Sequence, residues 1–429
     1  MKREEFQGKH VLVLGFGREG QDTLMFLRKH TTEKDIAVAD QKERNQLSRE
    51  ARAVLGKTRY LGGRDYLKSL SSFEVVVKSP GIPLHAISSF LTKNVLLTSQ
   101  TNIFLVKYPG TVVGVTGTKG KSTTASLIAH VLQKAGKNAK LAGNIGEPVL
   151  AYLDQAKSDD VFVYELSSYQ LETVHKSPHI AVLLNIYPEH LDHHKTFQKY
   201  IQAKQNITKF QTEKDYLIFN KKDERVRGIA EKSRAQSVGF IPKPRKDLPF
   251  LASPEPVTRV AKLFGISPEI TEKALKSFKP LPHRLEKVGK WRGIEFINDS
   301  LATIPQATAA ALDAFGSDVS VLIAGGVDRG VSYTPLAEAI AKHKIQTLVL
   351  FPSSGQKIAK ELKALKKSHA PAIFFVESMK EAVALCYRHA RKGSVCLLSP
   401  ASPSFNMFRD YQDRGEQFTA YARSYGEKA

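Results

Sequence analysis

Residues 111–134 read TVVGVTGTKGKSTTASLIAHVLQK: a β-branched run, a turn of small residues and lysines, then a helix-forming stretch. That order narrows the fold more than any other feature, because a strand feeding a helix through a tight turn belongs to a parallel α/β sheet. It also narrows the chemistry. Small residues over Thr116, Gly117, Thr118, Lys119, Gly120, Lys121, Ser122 and Thr123 let backbone N–H groups surround phosphate oxygens, and the helix start adds unpaired donors. Lys121 is placed to reach the outer phosphates of ATP, and Ser122 offers a hydroxyl to Mg²⁺. Val115 stands where the common pattern has its first glycine, so the match is to the geometry rather than to the full motif.

Short apolar runs recur on both sides of this unit. HVLVLG, DIAVAD, FEVVVKSPGI and NVLLTSQ precede it; DVFVYELSS, IAVLLNIYP and DYLIFN follow; a third set, GIEFINDS, VSVLIAGG, IQTLVLF, PAIFFV and SVCLLSP, comes after PLPHRLE. Proline-rich joints at Pro109 and Pro280–Pro282 divide the chain into three successive α/β domains, expected at residues 1–108, 109–281 and 282–429. The first and third are expected to be Rossmann-like and the central one P-loop ATPase-like. A length of 429 residues accommodates two or three cores. Gly15-Phe16-Gly17-Arg18-Glu19-Gly20, with Asp40 ending the next strand-like run, also fits a dinucleotide fingerprint. Alone it would indicate an NAD-dependent oxidoreductase. Beside the stronger phosphate loop, it reads as a cradle for the diphosphate of a nucleotide-linked substrate.

Composition excludes little. The net charge of +22 is spread without a repeated basic or aromatic register, so no nucleic-acid role is expected. No apolar run approaches the roughly 20 residues needed to cross a bilayer. Cys386 and Cys396 give no metal or redox spacing, and a reduced, cytoplasmic compartment is expected.

Several motifs in fixed order carry a resemblance: TGTKGKSTT, Gly143-Asn144-Ile145-Gly146, YELSSYQL from Tyr164, LLNIYPEHLDHH with His190, YIQAKQNI with Lys204, then HRLE, NDSLAT, GGVDRG and SPASPSFNMFRDYQDRGEQF. Together they resemble the Mur ligase family over nearly the whole chain, and within it the branch that adds D-glutamate. The resemblance implies an ATP-dependent, Mg²⁺-dependent, monomeric ligase joining D-glutamate to UDP-N-acetylmuramoyl-L-alanine through an acyl phosphate. It implies that Lys121, His190 and Lys204 are catalytic; that Ser122, Glu165 and His190 hold Mg²⁺; and that a carbamylated Lys204 joins them. Arg284 and Asp299 would contact ATP. Gly17, Arg18 and Ser79 would cradle the UDP part, with Asn144 facing the phosphate region. Thr303, Arg329, Ser404 and Phe405 would hold the amino acid. Read without the resemblance, Lys204 is an exposed helix lysine and Asp299 a helix cap.

The chain departs from the family pattern at several positions. Leu301 replaces a lysine, Arg329 a lysine, Lys119 an asparagine, Asn102 an acidic residue and Ser402 a cysteine, and an HNxxN element of the central domain is missing. A ligase for a different amino acid and a non-catalytic nucleotide-binding relative are the alternatives these departures leave open.

Overall fold

In the computed structural model, the described residues are 6–143, 148–245, 247–248, 251–279, 282–365 and 370–427. They form three sheets. The first has five parallel strands, β1 (Val11–Leu14), β2 (Ile36–Asp40), β3 (Arg59–Gly62), β4 (Val75–Lys78) and β5 (Leu96–Thr98), in the order β3-β2-β1-β4-β5. All four residues of β1 are buried, because a central parallel strand is covered by helices on both faces. The order turns back at β1, so the ends of β1 and β4 lie side by side and open a crevice between them, as doubly wound sheets do.

The second sheet contains β6 (Thr111–Thr116), β7 (Ala139–Gly143), β8 (Val161–Glu165), β9 (Ile180–Leu183), β10 (Tyr216–Asn220) and β11 (Gln236–Phe240). All are parallel, in the order β11-β10-β9-β6-β8-β7. Here β6 is flanked by β8 and β9, so the segments that follow these three strands share one edge. The helix Lys121–Lys134 leaves β6 and buries Leu127, Ile128, Val131 and Leu132 against the sheet. Each such side chain contributes about 1.5–3 kcal/mol by leaving water.

The third sheet comprises β12 (Glu286–Trp291), β13 (Ile294–Asn298), β14 (Val319–Gly325), β15 (Thr347–Phe351), β16 (Ala372–Phe375) and β17 (Val395–Leu398), ordered β12-β13-β17-β14-β15-β16. Only β12 runs antiparallel. The three-sheet α/β architecture matches the sequence reading.

The packing adds a feature that the sequence did not show. The first two sheets share one continuous core, reaching from Phe6, Leu24 and Phe104 to Phe162, Tyr164 and Ile207. They form one compact unit, residues 1–242 with 255–275; residues 243–254 and 276–429 form a second.

Candidate active site

The turn over residues 116–123 is held tightly between β6 and its helix. Gly120 caps the helix Lys121–Lys134 with φ of +84°, a left-handed conformation that glycine adopts without strain. A Cβ on Gly117 would press on the Leu184 side chain at 2.9 Å, so the turn is held close to the segment after β9. Asn185 pins it from that side: its carbonyl accepts the Thr118 N–H at 2.8 Å, its Oδ1 accepts the Lys119 N–H at 2.8 Å, and its Nδ2 donates to the Lys119 carbonyl at 3.0 Å. The Thr118 hydroxyl meets the Tyr200 hydroxyl at 2.9 Å, and the Thr116 hydroxyl donates to the Leu166 carbonyl at 2.7 Å. Ser122 and Thr123 are buried at the helix start.

Charge is concentrated at this edge. Lys121 Nζ lies over the turn and donates to the Thr118 carbonyl at 3.0 Å. Lys119 pairs with Glu189 at 2.9 Å. Burial acts to raise the Glu189 pKa, but Lys119, His190 and Lys121 outweigh it and hold the carboxyl below its ordinary value. Lys204, on the helix Phe197–Lys209, is 1% exposed and not a surface lysine. Its Nζ donates to the Gly117 carbonyl at 2.8 Å and the Thr116 hydroxyl at 3.3 Å, beneath the turn, and lies 5.0 Å from the Tyr200 ring centroid. Burial drives its pKa well below 10.5; Lys121 adds to this, and Glu189 and Glu165 oppose it. Glu165 ends β8 and is buried. His190 begins the turn after β9 in the left-handed region (φ 57°), and burial, with Lys121, Lys204 and Lys119, keeps it below its ordinary pKa against the pull of Glu189. A neutral imidazole is the form that ligates a metal. Lys119, Lys121, Ser122, Glu165, His190 and Lys204 therefore meet at one edge of the second sheet.

This donor set fits the groups that the sequence reading assigned. The Lys121 ammonium and the N-terminus of its helix converge on the turn, while Lys119 is already balanced by Glu189; a helix start beside a lysine suits a polyphosphate. A hydroxyl, a carboxylate and a neutral imidazole beside them suit a hard dication shared with phosphate oxygens.

Gly17, Arg18 and Ser79 also meet. With Gly15, Asp40 and Tyr66 they line a cavity of about 500 Å³ at the crevice of the first sheet. Asp40 accepts the Phe16 N–H at 2.7 Å, and the Ser79 hydroxyl donates to the Gly15 carbonyl at 3.0 Å, so β4 and the glycine turn are tied together. Asn144 lies outside the described residues.

Arg284, Asp299, Thr303, Arg329, Ser404 and Phe405 belong to the second unit. Asp299 and Thr303 follow β13, Arg329 follows β14, and Ser404 and Phe405 follow β17; these three strands are neighbours, so their loops share an edge. Ser404 is buried, Arg329 exposed and Phe405 68% exposed. A residue not singled out from sequence organises this edge. Arg414, fully buried, donates to the Ser300 hydroxyl (3.0 Å), the Ser300 carbonyl (2.7 Å) and the Ser402 carbonyl (3.0 Å). Asn185 and Tyr200 were likewise missed, since neither has a local signature. The departure at Ser402 has a structural place: its hydroxyl is buried between those of Ser354 (2.7 Å) and Tyr333 (3.0 Å). Asn102, the departure before the phosphate turn, is buried too and accepts the His175 N–H at 2.7 Å.

A glycine turn feeding a helix at the switch point of one parallel sheet and a glycine crevice at that of another define an α/β protein of the nucleotide-binding kind. Comparison with known proteins narrows the class, and the chain belongs to the Mur ligase family. Residues 115–248 match the Mur ligase middle domain, and residues 283–402 match the Mur ligase glutamate ligase domain. The chain is 32% identical to the UDP-N-acetylmuramoylalanine–D-glutamate ligase of Acetivibrio thermocellus, over 98% of each chain. It is 33% identical to the protein of that name from Natranaerobius thermophilus, over 98% of this chain and 99% of the relative. Among solved structures, the fold is similar to MurF ligase from Thermotoga maritima in complex with ADP (TM-score 0.59, 17% identity, covering 100% of this chain and 97% of that one). It is also similar to UDP-N-acetylmuramate-alanine ligase MurC from the same organism (TM-score 0.53, 16% identity, 98% and 100%).

Proposed function

We propose that this protein is the ATP-dependent ligase that adds D-glutamate to UDP-N-acetylmuramoyl-L-alanine in peptidoglycan precursor synthesis, acting in the cytoplasm. The observation that carries the reading is the convergence of Lys119, Lys121 and Lys204 with Glu165 and His190 around a glycine turn. Full-length relatives of that name support the choice of substrates. No helix among the described residues is long and apolar enough to cross a membrane.

In this reading the substrate carboxylate attacks the γ-phosphorus of ATP, ADP leaves, and an acyl phosphate forms. The amine of D-glutamate then attacks the acyl carbon, phosphate leaves, and the nitrogen gives up a proton. Lys121 and the N–H groups at the start of its helix hold the phosphates and offset the charge that two anions bring to one place. Mg²⁺ held by Ser122, Glu165 and His190 would neutralise further phosphate charge. Burial drives the Lys204 pKa well below its ordinary value, which favours the neutral amine that adds to CO₂ with loss of a proton, so carbamylation would turn a buried base into a carboxylate facing the same site. Gly17, Arg18 and Ser79 bind the UDP part, and Asn144 is assigned to the phosphate region. Arg284 and Asp299 serve ATP, and Thr303, Arg329, Ser404 and Phe405 the amino acid. The domains assigned to these tasks are residues 1–108, 109–281 and 282–429.

The test is phosphate release with UDP-N-acetylmuramoyl-L-alanine and ATP against a panel of amino acids. Stimulation by D-glutamate alone is expected. Stimulation by another amino acid would redirect the specificity, a second reading favoured by Leu301 in the NDSLAT segment, and release in Lys121→Ala at the wild-type rate would refute the mechanism.

A further inference from the structure

Glu172, His193 and His194 form a cluster that the reaction above does not use. Their ligating atoms all lie within 4.8 Å of one another, and among the described residues no other three His, Cys, Asp or Glu side chains converge in this way. Glu172 Oε2 is 3.5 Å from His193 Nε2, and Glu172 Oε1 is 3.7 Å from His194 Nδ1. Donors held at roughly 2.0–2.1 Å by a tetrahedral zinc ion stand about 3.4 Å apart, so closing a set that spans up to 4.8 Å on a metal needs side-chain shifts of up to about 1.4 Å. His193 Nε2 and Glu172 Oε2 are buried and meet only in long contacts, 3.5 Å from each other and 3.5 Å from Lys78 Nζ to the same oxygen, and the His193 side chain is only 6% exposed. Contacts of that length satisfy buried polar groups poorly.

The surroundings suit a metal ligand set. His194 Nε2 meets the Ser168 hydroxyl at 3.0 Å. With that hydroxyl accepting from Nε2–H, the lone pair of Nδ1 faces Glu172, and this is how an outer hydroxyl fixes a ligating histidine. Tyr169 packs on His193 with ring centroids 4.1 Å apart and on His190 at 4.9 Å. One cation already competes: Lys78 Nζ is 3.5 Å from Glu172 Oε2 and donates to the Ile82 (2.6 Å) and Ser79 (3.2 Å) carbonyls.

We propose that Glu172, His193 and His194 form a second metal site, selective for a borderline transition dication such as Zn²⁺ or Co²⁺ over Mg²⁺. Two imidazoles and one carboxylate are a common zinc set, whereas Mg²⁺ demands oxygen donors. Lys78 supplies the positive charge when no metal is bound and is displaced on loading. The His193 and His194 N–H groups bond the His190 carbonyl at 3.2 and 3.0 Å, so a metal here ties the turn carrying His190 to the segment that follows Glu165.

The experiment uses tag-free full-length protein, stripped with a chelator and titrated with Co²⁺ in excess Mg²⁺. One equivalent with the visible absorption of tetrahedral nitrogen–oxygen coordination is expected. Glu172→Gln and His193→Asn should abolish that band, His190→Asn should keep it, and Ser168→Ala should weaken binding about tenfold or more. Lys78→Met should tighten it. Zn²⁺ should raise the unfolding temperature of the wild type but not of Glu172→Gln, which keeps the side-chain shape if His193→Asn fails to fold. The proposal is overturned if wild type takes up no Co²⁺, if Glu172→Gln retains the band, or if His190→Asn alone removes it.

Discussion

Replacing Asp299 by Asn should make the second unit less sensitive to rising pH. Asp299 follows β13 and is buried; its Oδ2 accepts the Ser399 hydroxyl at 2.7 Å and its Oδ1 the Leu285 N–H at 3.3 Å. Burial raises its pKa from 3.8 to about 7, against those bonds and the charges of Arg284 and Arg414. Burial also lowers the Arg414 pKa to about 9, so neither partner gains enough from the other to offset its own desolvation. A carboxyl whose folded pKa lies above its unfolded one binds its proton more tightly when folded. The stability this contributes is complete below the unfolded value and is lost as pH rises through about 7. The full linkage is about 4 kcal/mol, of which about 2–3 kcal/mol falls between about pH 5 and about pH 8. Asn keeps the shape and cannot ionise. Trp291, the only tryptophan, lies on β12 and pairs with β13, so its fluorescence during urea unfolding reports this unit. Across that range the wild type should lose about 2–3 kcal/mol more than Asp299→Asn. Parallel losses in the two proteins would refute the assignment of a retained proton.

Gly20→Ala should raise KM for the UDP-linked substrate, because the new methyl would land on the Gly15 carbonyl and push the turn out of the crevice; an unchanged KM would count against that cavity as the UDP site. Tyr200→Phe removes the hydroxyl that meets Thr118 inside the protein and should cost about 1 kcal/mol of stability, with weaker ATP binding read by calorimetry. Arg414→Leu leaves two carbonyls and a hydroxyl without their donor and should destabilise the second unit by about 3 kcal/mol or more, measured through Trp291. Labelled bicarbonate should give a carbamate carbon resonance in the wild type and none in Lys204→Arg, whose guanidinium does not form the adduct.

The interior strands were legible because central parallel strands are covered on both faces and read as unbroken apolar runs. β3, β7, β11 and β12 were not, and each is an edge strand with a partly solvated, mixed pattern. The phosphate turn was legible for a similarly local reason: its function depends on consecutive backbone groups, so its residue types must be consecutive. Lys204 illustrates the opposite case. From sequence it is one lysine on an amphipathic helix, and only the packing of that helix under the turn makes it a buried amine. Glu172, His193 and His194 come together because the segments after β8 and β9 fold onto each other, and Arg414 reaches Ser300 across 114 residues. Sequence by itself determined the α/β class, the two glycine turns and the family, since these rest on local order and spacing. Tertiary structure alone decided which charges are desolvated and which distant side chains share an edge, because burial and proximity depend on how separate segments pack.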